Sequence, residues 1–454
     1  MSKRRIAERC LLILLDGLGD RAYPELEDRT PLQAAHTPNL DAFAQQGSCG
    51  LLHAARQGIA LPSENAHFAL FGYQKQEFPG RGLFEALGAG LDIRPGDIAF
   101  LVHFGEAEVR EQTLFLKKHR PKATEEEAKA FIKAIASYTW NARNGTSGNS
   151  TENIEDILVD YLPTKGLDGI LRLRGQGLSR QVTDTSTPQQ DHPLLMALPY
   201  REAEDLPAAQ RTAEALNSYI VWSHTILSQH PLNQERQRKN QEQVNVLITQ
   251  RPGTPGLIQP FVDRWGMQGA SLSSGLMYWG LASYLGMRVE KMTDTDNPGR
   301  DLAERLGRAA SLEKEYEFIH VHTKAPDAAA HSKDPNRKIV AIESLDKGIG
   351  AMMPELLDGR TVVIITADHS TPSAGPLIHS GEPVPIAVVG PGIRRDLVTG
   401  FDEVQCAPGA LGWVQGRDLM PMVLNFLDRA KLAGLMDTRD DQPYWPGKRK
   451  PFRL

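Results

Sequence analysis

Residues 11–20 read LLILLDGLGD, an unbroken apolar run closed by Asp16 and two glycines. A strand buried on both faces has no polar alternation, and it hands its first polar side chain to the carboxyl rim of its sheet. The same pattern recurs downstream. EFIHVHT (317–323) precedes Lys324–His331 (KAPDAAAH), and TVVIITA (361–367) runs into DHS within Ala367–Ser380 (ADHSTPSAGPLIHS). MRVEKM (287–292) and PIAVVG (385–390) also read as short buried strands, and helical stretches such as Arg337–Gly350 lie between them. Strands alternating with helices predict an α/β fold with a doubly wound, mostly parallel sheet.

Between these halves the pattern changes. DIAFLVHF (97–104) predicts a strand, and Thr124–Tyr138 a capped amphipathic helix with its acids in the first turn. Asn141–Asn153 (NARNGTSGNSTEN) is polar and turn-rich and reads as a mobile loop. A helix near Ala208–Gln229 and a strand at Val244–Thr249 follow. The expected organisation is a discontinuous core of residues 1–95 and 286–454 with an inserted α/β or α+β domain, residues 96–285. Glycine-containing linkers at Arg94–Gly96 and Tyr284–Arg288 are the expected hinges.

The 454 residues carry a net charge of −5, with pI near 6.2. Nothing here marks a nucleic-acid or anionic-membrane surface. Lys3, Arg4 and Arg5 before LLILL imitate a secretory signal, but the apolar run is too short and ends in Asp16. No run approaches the ~20 residues that span a bilayer. Cys10, Cys49 and Cys406 are few, scattered and odd in number, which points to a reducing cytoplasm.

Asp16, Asp327, His331, Asp368, His369 and His379 are oxygen and imidazole donors, each following an apolar run or returning from the loop after one. Asp327 and His331 are spaced to share one face of a helical turn. Ser63, in Pro62–His67 (PSENAH), opens a helix and is a hydroxyl nucleophile candidate; its alternative role is an N-cap. Metal coordination favours a serine alkoxide, and a pair of ions clamps the entering and leaving oxygens of an in-line phosphoryl transfer. The inventory predicts a two-metal phosphoryl-transfer enzyme acting on a small phosphorylated metabolite.

DGLGD, TPNLDAFAQQG, the segment from Ser63 to His67, KAPDAAAH, ADHSTP and HSGEPVP together resemble the alkaline phosphatase superfamily. Within it they resemble the archaeal-type branch of the cofactor-independent phosphoglycerate mutases. GRGLFEALGAGLDIRPGDIAF, RGQGLSRQVTDT and HPLNQER extend the resemblance through the insert. It implies that Asp327, His331 and His379 hold one divalent ion, manganese or magnesium, and that Asp16, Ser63, Asp368 and His369 hold the other. Other divalent ions are used by some relatives. It also implies that Ser63 takes the phosphoryl group from 3-phosphoglycerate and returns it to the 2-hydroxyl, a step of glycolysis. Lys324 would offset charge on the transferring group. Pro62 and Glu64 stand where the family usually has Gly and Asp, so departures gather around the substrate.

Arginines suited to a phosphate or carboxylate are Arg172, Arg174, Arg180, Arg236 and Arg251 in the insert and Arg81 nearer the core. Arg174 and Arg251 lead because each adjoins a glycine-containing turn. Two other readings share the core: a phosphatase or homoserine-kinase-like phosphotransferase with a different acceptor, and a metal-bound scaffold without turnover.

Overall fold

β1 (Arg9–Leu15) is buried along its whole length, as a strand without polar alternation must be. It is followed by β2 (Ser48–His53). Six strands then form elsewhere: β3 (Ile98–Arg110), β4 (Thr113–His119), β5 (Ser137–Trp140), β6 (Ile157–Lys165), β7 (Asp168–Arg174) and β8 (Val246–Gly253). The chain returns with β9 (Gly269–Ser273), β10 (Arg288–Lys291), β11 (Phe318–Thr323), β12 (Thr361–Thr366), β13 (Val384–Val389) and β14 (Gly412–Gln415). This computed structural model describes residues 7–141, 156–187, 189–435, 442–450 and 452–454. Most of the Asn141–Asn153 loop therefore lies outside the described residues, as do Lys3, Arg4 and Arg5.

The chain divides into two compact units, Met1–Phe78 with Ile258–Leu454, and Pro79–Leu257. In the first, eight strands are ordered β10-β9-β11-β1-β12-β13-β2-β14. Every pairing is parallel except those of β13, which runs antiparallel to both β12 and β2. Register decides the site. Leu15 of β1 stands opposite Thr323 of β11, and Leu14 opposite Thr366 of β12. The carboxyl ends of β11, β1 and β12 therefore finish side by side.

The second unit has an antiparallel sheet, β4-β3-β7-β6-β5, with β8 also paired to β3. Its aromatic and aliphatic core runs from Phe100, Phe104 and Leu171 on the sheet to Phe131, Leu216 and Tyr219 on helices. Antiparallel pairing makes this unit α+β.

Several expectations are corrected. The units meet at residues 78/79 and 257/258, not at 95/96 and 285/286. β9 pairs with β10 and β11 and so belongs to the first sheet, along with the Leu276–Tyr284 helix that packs on β9. The Arg81–Gly88 helix packs on β3 and β8. A Cβ on its Gly82 would come within 2.1 Å of the Ala99 carbonyl oxygen, so glycine permits that close approach. The expected hinges fall inside the units, and the chain crosses at Phe78–Pro79 and Leu257–Ile258. The Thr124-capped helix stops at Ala134 because Ser137–Trp140 is taken up as β5.

Candidate metal centre

Each rim residue is delivered by a strand end. Asp16 follows β1, Asp327 lies in the short Ala325–Ala330 helix after β11, and Asp368 and His369 follow β12. Asp16, Asp327 and Asp368 are all buried. The Asp327 amide donates to the Asp16 carbonyl at 3.0 Å. Gly17 sits at φ +66°, and its amide donates to Asp368 Oδ1 at 3.1 Å. A Cβ at Gly17 would lie 2.6 Å from Thr371 Oγ1 and 2.8 Å from the Asp327 Cβ. The carboxylates pack around a residue that has no side chain to give.

Ser63 is the first residue of the Ser63–Leu70 helix, and Pro62 is its N-cap. The capping alternative for Ser63 is thus overturned, because the cap position is already filled. Its Oγ lies instead 3.0 Å from His369 Nε2. His369 Nε2 is also 3.2 Å from Asp368 Oδ2 and 3.5 Å from Asp16 Oδ1.

Hydrogen bonding fixes the imidazole tautomers. The Thr371 hydroxyl donates to Asp327 Oδ1 at 2.9 Å, so its oxygen accepts from His369 Nδ1 at 3.2 Å. His379 Nδ1 donates to the Leu61 carbonyl at 2.8 Å. Both rings therefore turn an Nε2 lone pair toward carboxylate oxygens, and they stack with centroids 3.8 Å apart. A second bond that leaves the ligating nitrogen bare is the usual support of a metal-bound histidine. Asp327 Oδ1 is 3.5 Å from His379 Nε2 and 3.2 Å from His331 Nε2.

Acceptors thus face acceptors, and Asp16 Oδ1 and Asp368 Oδ2 are buried without a hydrogen-bond partner. Such oxygens are costly unless a cation joins them. The donor set fits divalent metal. Among the described residues, two groups of three have ligand atoms within 4.8 Å of one another: Asp16, Asp368 and His369, and Asp327, His369 and His379. His369 belongs to both. His331 lies at the more exposed edge, and Lys324 Nζ stands 3.6 Å from Asp327 Oδ2.

Titration reflects the same crowding. Burial opposes ionisation of Asp327, but His331 and His379, when protonated, and Lys324 outweigh it and hold the carboxyl below the usual range. Burial likewise opposes ionisation of Asp368, and its His369 and His67 neighbours more than compensate. Burial disfavours protonation of His67 and His379, yet Asp368 raises the first and Asp327 the second. Negative oxygens facing imidazole lone pairs draw positive charge into the site.

Three further residues contact the centre without having been singled out from the sequence. His67, fully buried, donates from Nδ1 to the Ser63 carbonyl at 2.9 Å and lies 3.4 Å from Asp368 Oδ2. Tyr278 and His322 both donate to Asp16 Oδ2. The available signal was FIHVHT, in which two histidines alternate within an otherwise apolar strand and share one face.

The arginines lie in the second unit. Arg174 is bidentate to Asp97, Arg172 pairs with Asp160 at 2.7 Å, and Arg236 pairs with Glu127 at 2.7 Å. Arg81 Nε donates to Glu85 at 2.7 Å. Arg180 is partly buried beside β-bridged Val182. Arg251 has an exposed side chain and a backbone φ of +52°, with its amide donating to Asp184 Oδ1.

A family model described as the Metalloenzyme superfamily matches residues 8–426. The 2,3-bisphosphoglycerate-independent phosphoglycerate mutase 2 of Methanocaldococcus jannaschii is 38% identical over 446 residues, covering 94% of this chain and 95% of its own. The corresponding enzyme of Methanopyrus kandleri is 35% identical, covering 94% and 99%. The solved cofactor-independent phosphoglycerate mutase of Thermoplasma acidophilum superposes with a TM-score of 0.63 at 28% identity, covering 92% of this chain and all of that one.

Proposed function

The chain belongs to the Metalloenzyme superfamily and to its 2,3-bisphosphoglycerate-independent phosphoglycerate mutases, and from that premise we propose that it interconverts 3-phosphoglycerate and 2-phosphoglycerate through a phosphorylated Ser63. The observation that carries the role of Ser63 is its place at a helix start, with Oγ 3.0 Å from His369 Nε2 beside two unpartnered carboxylate oxygens.

Two divalent ions, manganese or magnesium, fit the site. Asp16, Asp368 and His369 with Ser63 would hold one; Asp327 and His379, with His331 at the rim, would hold the other. When bound, the ions neutralise phosphoryl oxygens and favour the serine alkoxide.

The chain's own groups do the rest. Ser63 Oγ forms a bond to phosphorus as the bond to the substrate 3-oxygen breaks, and the proton that Ser63 gives up ends on that 3-oxygen. The substrate 2-hydroxyl later reverses that transfer, with its proton replacing the one Ser63 gave up. Lys324 adds a cation on the open side of Asp327. Of the candidate arginines in the second unit, Arg251 is exposed and has a left-handed backbone, with φ +52°. Arg172, Arg174 and Arg236 bind internal carboxylates and serve their own unit. A cytoplasmic setting is supported by Cys10, Cys49 and Cys406, all free and buried, and no helix among the described residues is long and apolar enough to cross a membrane.

The test incubates manganese-loaded protein with 3-phosphoglycerate and follows 2-phosphoglycerate and free phosphate together. Formation of 2-phosphoglycerate without phosphate loss is expected, and Ser63→Ala should abolish it. Release of phosphate in place of product would sink the mutase reading, and unimpaired transfer by the variant would remove Ser63 from its role.

A further inference from the structure

Asp16 is wholly buried, and its two oxygens are treated differently. Oδ2 accepts from the Tyr278 hydroxyl and from His322 Nε2, the latter at 3.0 Å. Oδ1 has no hydrogen-bond partner and faces His369. The two donors come from separate elements, the Leu276–Tyr284 helix and β11. Their rings pack with centroids 3.9 Å apart, and His67 sits 5.0 Å from each. β11 is further fixed where buried Arg305 Nη1 donates to the His322 carbonyl at 2.8 Å.

This arrangement has a chemical consequence. A carboxylate with one oxygen saturated by two donors has only the other to offer a cation. His67 meanwhile fixes the backbone of Ser63 through its carbonyl. One buried aromatic cluster therefore orients the nucleophile and the carboxylate beside it.

We propose that Tyr278 and His322 are positioning residues that restrict Asp16 to one-oxygen coordination of the Ser63-side ion, and that they do not govern the Asp327-side ion. The inference rests on the two-metal reading above. It adds that the two rings act on one ion site alone, since Asp327 is oriented by Thr371 and by neither of these rings.

The experiment titrates the metal-free full chain with Mn2+ alone, following bound manganese by electron paramagnetic resonance and calorimetry. Tyr278→Phe removes one hydroxyl and keeps the ring; His322→Gln keeps a side-chain donor, and His322→Phe removes it. Wild type should bind two ions. Tyr278→Phe and His322→Phe should weaken one of them about 10–100-fold, the range for loss of a group behind a metal ligand. The other ion should be unchanged, and His322→Gln should recover part of the loss. The metal-free melting temperature of Tyr278→Phe should fall only by the amount expected for one lost hydrogen bond to a buried carboxylate, and global unfolding should stay well above the titration temperature.

Wild type that binds no manganese would overturn the two-metal reading itself. Wild type that binds two ions, with variants of equal affinity, would overturn only this inference. Equal weakening of both ions, or a lowered metal-free melting temperature accounting for the loss, would reduce the two rings to packing.

Discussion

Gly17 shows how much of the centre depends on a missing side chain. Its φ of +66° is unfavourable for other residues, and a Cβ there meets Thr371 and Asp327 at under 3 Å. Gly17→Ala should cost about 1–3 kcal/mol of stability from the strained backbone alone and should also weaken manganese binding. Denaturation in urea together with metal titration checks both. Lys338 makes a second single-residue case. It is fully buried and donates to Asp20 Oδ2 at 3.0 Å, the Gly19 carbonyl at 2.8 Å and the Thr371 carbonyl at 2.9 Å. It thereby ties together the loops that follow β1 and β12. Lys338→Met leaves the Asp20 carboxylate buried without its cation, at a cost of about 3–5 kcal/mol. Adding Asp20→Asn should return part of that loss, and urea midpoints of the single and double variants measure it.

Among the elements, the loop that carries His379 is held at its far side. Lys333 Nζ donates to the Pro372 carbonyl at 2.8 Å and the Leu377 carbonyl at 2.6 Å, pinning the loop to the end of the Asp327 helix. Lys333→Met should speed hydrogen exchange in that loop and weaken the Asp327-side ion, while global unfolding changes little. The segment around Glu403 is a second such joint. Its carboxylate accepts from the Asp20 amide at 3.1 Å and the Thr30 hydroxyl at 2.8 Å. Burial pushes its pKa up to about 7, against the pull of its hydrogen bonds and Lys338. A folded pKa above the unfolded one means the contribution is full below pH ~4.5 and is lost as pH rises through about 7. Glu403→Gln should therefore flatten the decline in melting temperature between pH 5 and pH 8; an unaltered slope would show that Glu403 does not cause it.

For the molecule as a whole, the two units contain opposite pH dependences. In the second unit His103 donates from Nε2 to His119 Nδ1 at 3.0 Å, because His119 uses Nε2 to reach the Thr187 carbonyl. Burial, then Arg120 and His119, lower the His103 pKa to about 3. A depressed folded pKa means the contribution is present above the unfolded value, near 6.5, and is lost as pH falls toward 3. His103→Gln should thus flatten the acid limb, in contrast to Glu403→Gln on the alkaline side. Removal of divalent metal should lower stability of the first unit by mass action, by about 2.7 kcal/mol if the ion was at a hundred times its Kd. Calorimetry with and without chelator measures the shift, and an unchanged transition would argue against bound metal.

The sequence by itself determined the mostly parallel core and the acids and histidines of its rim. Both are local signals: an apolar run such as LLILL has to be buried, and the first polar residue after it has to leave the sheet. It also placed Ser63 at a helix start, since Pro62 and the following periodicity are read within one turn. Only the tertiary structure decided that β13 runs antiparallel and that β9 belongs to the first sheet, because strand partners are chosen across distant segments. It likewise committed Arg172, Arg174 and Arg236 to internal carboxylates, and brought Tyr278 and His322 onto Asp16. A side chain's type is written in the sequence, but what it donates to depends on which remote oxygen the fold brings within 3 Å.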